Sequence, residues 1–239
     1  MLGIIGGSGL EQLEGLELQQ EHLMITPYGR LASPVQEGVW QGKRLFFVSR
    51  HSADHSVAPH LINYRANIWA LKSLGITEVI GVAAVGGITP CNAPQAINIP
   101  DQIIDYTWGR NHTFVEAGGS VQHISFCQPY TPSLRAKLLS AAEKSGQCVV
   151  NGGCYAATQG PRLETAAEIN KLKRDGCDIV GMTGMPEAAL AMEAGLDYAC
   201  LALVVNWGSG VLDEEISLAE IYENLERGML GVKKILKAL

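Results

Sequence analysis

A glycine-rich loop, Gly6-Gly7-Ser8-Gly9, follows the apolar residues Leu2, Ile4 and Ile5 at the start of the chain. Backbone N–H groups in such a loop, with a serine hydroxyl among them, can hold a small oxyanion. The spacing argues against larger anionic ligands. A dinucleotide turn needs G-x-G-x-x-G. Counted from Gly7 its third glycine falls on Gln12; counted from Gly6 or Gly3 its second falls on Ser8 or Ile5. A nucleoside-triphosphate loop needs Gly-Lys-Ser/Thr, and no lysine is present here.

Other apolar runs also end in residues suited to chemistry. Ser49-Arg50-His51 follows one of them. Arg50 could give a phosphate two parallel hydrogen bonds and His51 one more, or Arg50 could be a surface arginine paired to a carboxylate. His51 and His55 have H-x-x-x-H spacing, but no Glu adjoins His51 and Pro59 interrupts the run, so no metal site is expected. Met182 and Thr183 end a further run, and Pro186 and Glu187 then open a helix. The Thr183 hydroxyl could join an anion site. Glu187 could bond a ribose hydroxyl or merely favour the helix dipole. Leu163 and Glu164 stand where another helix starts, so Glu164 is either a first-turn acid or a ligand contact. Asn206 follows five apolar residues and precedes Trp207 and a glycine-rich loop. Its amide, with one acceptor and two donors, suits a purine edge, or else it ends the strand as a turn residue.

These scattered groups need a scaffold that gathers strand ends. Residues 2–5, 44–50, 78–85, 177–182 and 198–205 read as strands, the last of the fully buried kind. Between them, 61–74 reads as a helix stopped by Gly75. A second helix has Thr131 as N-cap, Pro132 at its first position and Gly146 at its end. Residues 163–176 and 186–195 read as two more. In the last helix Ser217 and Glu220 form a capping-box pattern, and Leu218, Ile221, Leu225, Met229, Val232, Leu236 and Leu239 share one face. Alternating strands and helices predict an α/β fold with a largely parallel or mixed sheet, as one domain over 1–239. Ligands of such sheets gather outside the carboxyl ends of the strands.

Composition narrows the partners. Apolar residues make up 47% and charged residues 18%, which supports a buried core. The net charge is −6 with both signs scattered, so no basic surface for nucleic acid is indicated. The six cysteines include no C-x-x-C pair, and they read as reduced thiols of a cytoplasmic protein. No signal peptide and no apolar run of membrane-spanning length is read.

Taken together, "GIIGGSGL", "SRHSADH", "NYRANIWALK", "VAAVGGI", "TQGPRLETAAEI" and "GMTGMPEAALAMEAGL" resemble the trimeric purine nucleoside phosphorylase and methylthioadenosine phosphorylase family, in the expected order over nearly the whole chain. The resemblance implies a single α/β domain with a mixed, partly barrel-like sheet flanked by helices, and a homotrimer with sites near subunit interfaces. It implies a phosphate site of Ser8, Arg50, His51 and Thr183 with the N–H of Ala84. Ala83 departs from the pattern, since many relatives have a polar side chain there. Met182 resembles the ribose-contacting methionine, Leu163 the residue flanking the base, and His55 is placed with the substrate-binding side chains. Asn206 is the implied catalytic residue, donating to a 6-oxo group and accepting the N7 proton, while Glu164 accepts from N1–H. Leu218 makes an apolar wall at the ribose 5′ end, and His123 resembles a residue that reaches into the neighbouring subunit's 5′ pocket. The expected reaction is phosphorolysis of methylthioinosine, with inosine or guanosine and methylthioadenosine as alternative substrates. Inorganic phosphate is the co-substrate, with no organic cofactor, metal, nucleic acid or membrane partner.

Overall fold

The computed structural model describes residues 1–213 and 215–239. The chain opens with β1 (Leu2–Gly6), β2 (Glu17–His22), β3 (Ile25–Thr26), β4 (Gly29–Arg30), β5 (Val35–Trp40) and β6 (Lys43–Ser49). Next come α1 (Tyr64–Ser73), β7 (Glu78–Gly87), β8 (Ile97–Ile99) and β9 (Gln102–Asp105). Then follow α2 (Pro132–Lys144), β10 (Val150–Asn151), β11 (Cys154–Ala157) and α3 (Ala166–Arg174). The chain ends with β12 (Ile179–Gly181), α4 (Gly184–Glu193), β13 (Asp197–Trp207) and α5 (Leu218–Lys237). Among the described residues no helix is long and apolar enough to cross a membrane.

The sheet runs β10-β8-β13-β7-β1-β6-β5-β2, with β12, β11 and β9 branching from β7. Its centre is parallel: β1 pairs with β6 and β7, and β7 with β13. Parallel strands covered on both faces need continuous apolar runs. β13 meets that need, with Tyr198 to Val205 all buried. Its side chains alternate between two cores. Tyr198, Cys200, Ala202 and Val204 join α1 and α4 through Ile68, Leu71 and Leu190. Ala199, Leu201, Leu203 and Val205 join α2 and α5 through Leu134, Leu138, Met229 and Val232. Each such leucine or valine contributes about 1.5–3 kcal/mol by its burial.

At β7 the sheet forks. β12 pairs antiparallel with Gly86 and Gly87, β11 pairs with β12, and β9 with β11. On the other side β8 pairs with β13. Only Pro100 and Asp101 separate β8 from β9, so the chain itself closes this circuit into a partial barrel. The mixed, partly barrel-like sheet is therefore present.

Several boundaries differ from the sequence reading, each for a local reason. α1 starts three residues later than 61, because Asn63 is its cap and accepts from the Ala66 N–H at 3.1 Å. α3 starts at Ala166, because Thr165 and Glu168 form a reciprocal capping box. Leu163 and Glu164 thus lie in the loop before the helix, and Glu164 is not a first-turn acid. Ser217 accepts from the Glu220 N–H as α5 begins. The apolar face of α5 then divides: Met229, Val232 and Leu236 are buried in the core, while Leu218 is 66% exposed. β13 extends through Asn206 and Trp207, so Asn206 does not terminate the strand.

Candidate active site

The carboxyl ends of β1, β6, β7, β12 and β13 open onto one cavity of about 650 Å³. Ser8, Arg50, His51, Ala84 and Thr183 line one end of it. Leu163, Glu164, Met182, Asn206 and Leu218 line the remainder, and His55 also lines the cavity, beside Ser8 and His51. His123 does not line it; this exposed residue lies on an irregular segment between β9 and α2. A groove of about 400 Å³ lies at the opposite strand ends, beside Leu2, Glu78 and Lys137, away from all of these residues.

The anion end is built on backbone. A Cβ at Gly7 would lie 2.7 Å from the Val82 carbonyl oxygen and 2.8 Å from Arg50 Nη1, so only glycine lets the arginine pass. Arg50 is 1% exposed. Its Nε and Nη2 donate to the two oxygens of Glu187 at 2.7 and 2.8 Å, and Nη1 donates to the Val82 carbonyl at 2.9 Å. This corrects two expectations. Arg50 is not a surface residue, and its paired fork is committed to Glu187 rather than free for a phosphate. Two of its five N–H groups have no partner among the described residues. Glu187 does not line the cavity; from the first turn of α4 it is the buried partner of Arg50. Burial opposes the arginine's charge, but the charge and hydrogen bonds of Glu187 override it and raise the guanidinium's pKa. Tyr198 Oη donates to Glu187 Oε1 at 2.7 Å.

His51 is equally constrained. Its Nδ1 lies 2.8 Å from the Val57 carbonyl oxygen, which can only accept, so Nδ1 carries the proton. Burial, then the Arg50 charge, pull its pKa down to about 4. At neutral pH the ring is therefore uncharged and Nε2 presents a lone pair. Positive φ at Ser52 and His55, 71° and 55°, folds the 50–57 loop back over the site. The His51 and His55 rings lie 4.6 Å apart. His55 in turn spans Ser8 and Glu11, with Nε2 3.5 Å from Ser8 Oγ and Nδ1 3.2 Å from Glu11 Oε1. Among the described residues no group of three His, Cys, Asp or Glu is placed to hold a metal ion.

Two further donors follow from strand geometry. β1 pairs with β7 only as far as Ile5 opposite Gly81. Val82 turns its carbonyl to that side, where Arg50 takes it. Alternation puts the Ala84 N–H on the same side, beyond the end of β1. Thr183 is the N-cap of α4, yet its hydroxyl makes no capping bond, which leaves it for the cavity. Ala83, which also lines the cavity, adds only a methyl group.

The other end depends on loops. Asn206 sits at a β-bulge, where the register of β13 against β7 shifts between Val204 and Asn206. Bulges re-aim side chains, and this one faces Asn206 into the cavity. Its Nδ2 donates to the Trp207 carbonyl at 2.7 Å, and Oδ1 and the other N–H have no partner among the described residues. Glu164 Oε1 accepts from Thr158 Oγ1 at 2.6 Å, and its own carbonyl accepts from Ser209 Oγ at 2.5 Å. Leu163, Leu218 and Tyr222 stand at the rim, 41%, 66% and 67% exposed.

Arg110 is an organiser that the sequence reading missed. This 8%-exposed residue donates to the carbonyls of Met182, Met185 and Gln159 at 2.8, 2.6 and 2.7 Å. It thereby ties the Met182 turn to the 158–160 loop. A Cβ at Gly160 would collide with Met182 Sδ, so that loop presses directly on the methionine. Carbonyl acceptors leave no residue pattern, so an isolated arginine in "WGRNH" carried no signal.

A family model described as "Phosphorylase superfamily" matches residues 1–239. A relative from Xanthomonas campestris pv. campestris, named "Probable S-methyl-5'-thioinosine phosphorylase", is 51% identical over 240 residues, covering 100% of this chain and 96% of its own. A "6-oxopurine nucleoside phosphorylase" from Pyrococcus furiosus is 39% identical, with 99% and 91% covered. Among solved structures, a methylthioadenosine phosphorylase from Schistosoma mansoni in complex with adenine superimposes with a TM-score of 0.94 at 30% identity, covering 99% of this chain and 89% of that one.

Proposed function

The chain belongs to the phosphorylase superfamily, and from that premise we propose that it catalyses phosphorolysis of S-methyl-5′-thioinosine to hypoxanthine and 5-methylthioribose 1-phosphate. The observation that carries this reading is one cavity with an oxyanion cradle at one end and the Asn206–Glu164 pair, with an apolar rim, at the other. The names of several relatives at 51% identity agree with it.

Phosphate lies in the cradle with Ser8, Thr183, the Ala84 N–H and the two free N–H groups of Arg50 as donors. Neutral His51 offers Nε2 as an acceptor, which matches the P–OH of monohydrogen phosphate. The C1′–N9 bond breaks towards an oxocarbenium-like state as a phosphate oxygen bonds to C1′. Two groups then act on the departing purine: Asn206 donates to O6 and steadies N7, and Glu164 accepts from N1–H. The phosphate proton leaves with the base through solvent, so the reaction needs no other co-reactant. Positioning and electrostatic stabilisation do most of the work, with no cofactor or metal. Met182 supports the ribose, Leu163 flanks the base, and His55 and Leu218 border the 5′ end.

The apolar 5′ wall favours a methylthio group over a hydroxyl. A second reading, inosine or guanosine phosphorolysis, has support from the relatives named 6-oxopurine nucleoside phosphorylases. The exposed Leu218 and Tyr222 at the rim, with His123 off its own chain's cavity, support a homotrimer in which His123 from a neighbouring copy closes the 5′ pocket. The six free thiols fit a cytoplasmic, reducing location.

The test is base release with and without phosphate, with the sugar product identified. Release that depends on phosphate and yields a sugar 1-phosphate supports the reading. Equal release in phosphate-free buffer replaces it with hydrolysis.

A further inference from the structure

Glu187 is 1% exposed and does not line the cavity, yet both of its oxygens hold a residue that does. We propose that Glu187, fixed in turn by Tyr198, is a positioning residue for phosphate: it sets the plane of the Arg50 guanidinium so that the two free N–H groups face the anion. This rests on the phosphate-cradle reading of the site.

Three bonds hold the planar guanidinium: two to Glu187 and one to the Val82 carbonyl. A planar group held at three nitrogens cannot rotate, so the direction of its remaining donors is fixed before a ligand arrives. Glu187 is held just as firmly. Tyr198 donates to it at 2.7 Å, and burial, then the Glu187 charge, keep that phenol protonated by raising its pKa. Room for this contact comes from Gly81, where a Cβ would collide with Tyr198 Oη. Tyr198 is anchored by its strand and by Thr131, whose Oγ1 accepts the Tyr198 N–H at 3.0 Å. Glu187 also follows Thr183 by four residues on α4, beyond the extended Met185 (φ −120°, ψ 141°). One short segment thus carries both Thr183, which lines the cavity, and Glu187, which holds Arg50.

A merely structural ion pair would affect stability and both substrates alike. Positioning predicts a split. The full-length enzyme and its Glu187→Ala, Glu187→Asp and Tyr198→Phe variants are compared by initial rates with phosphate and nucleoside varied separately. Titration with inorganic phosphate alone gives the affinity. Glu187→Ala should raise the phosphate KM by about tenfold or more, the scale of one lost charge-assisted bond, with the nucleoside KM within about twofold. Glu187→Asp should recover part of the loss. Tyr198→Phe, which removes one oxygen and keeps the core shape, should raise the phosphate KM by a few-fold, and it carries the test if Glu187→Ala does not fold. Folded variants with unchanged phosphate affinity, or with both KM values moved by one factor, overturn the proposal. If the wild type binds phosphate but releases no base, the proposed reaction fails while phosphate affinity still decides on Glu187. If the wild type binds no phosphate, both fail.

Discussion

The two ends of the cavity are held by different kinds of structure. At the anion end the contacts come from strand termini and a buried ion pair: Arg50 and Glu187 are each 1% exposed, and His51 is 7% exposed. At the nucleoside end, loops before α3 and α5 and the bulge at Asn206 do the positioning, and Leu218 and Tyr222 stand largely open. In the proposed reading, this buried end is pre-shaped for one small co-substrate. In the same reading the nucleoside end is the adjustable one, where a few side chains would decide which base and which 5′ group fit. Substitutions at the first end should damage the protein or its phosphate site. Substitutions at the second should change preference while leaving the fold intact.

The largest contrast is in stability. Arg50→Met or Glu187→Leu alone leaves an uncompensated buried charge and should destabilise the fold by about 3–5 kcal/mol in denaturant unfolding. Replacing both should recover much of that stability. Single changes costing under about 1 kcal/mol, as exposed pairs do, would remove the distinction between the two ends.

Next in size is base selection. Asn206→Asp should cost about 1 kcal/mol in unfolding, for the lost bond to the Trp207 carbonyl, and move kcat/KM towards the 6-amino substrate by tenfold or more, since a mismatched buried polar pair costs about 1–3 kcal/mol. An unchanged ratio would show that Asn206 does not read the base. A smaller effect is expected at the 5′ end. Leu218→Ser should narrow the preference for methylthio over hydroxyl substrates by a few-fold to tenfold, within the 1–3 kcal/mol an apolar group typically commands. A constant ratio between methylthioinosine and inosine would place the 5′ group elsewhere.

The last expectation concerns pH dependence. His51 has its pKa lowered from 6.5 to about 4, so between those values the unfolded chain binds more protons than the folded one. Its contribution is present above pH 6.5 and is lost as pH falls towards 4. Melting temperature should therefore drop between pH 7 and 4.5 by more in the wild type than in His51→Gln. Parallel curves would mean that His51 is not held neutral.

The anion end was the more legible in sequence because strand ends have recognisable signatures. Gly6-Gly7-Ser8, Arg50-His51 and Thr183 each follow an apolar run, and the alternating pattern already implied a shared sheet edge. The partner of Arg50 was not legible: Glu187 lies 137 positions away, and nothing local distinguishes it from a helix-dipole acid. The short strands β8 to β11 were also missed, since runs of two to four residues show no period. Leu163 and Glu164 were assigned to a helix because the Thr165–Glu168 capping box was not read as its start. Arg110 left no trace, because it organises the nucleoside end through backbone carbonyls. Tertiary partners of this kind become visible only when distant segments are brought together.

The most direct measurement of the central claim is kcat/KM for methylthioinosine, inosine and methylthioadenosine on the wild-type enzyme at saturating phosphate. Methylthioinosine should be the best substrate, with methylthioadenosine at least about tenfold below it for want of an N1–H and a 6-oxo group. Methylthioadenosine as the best substrate would contradict the roles given to Asn206 and Glu164.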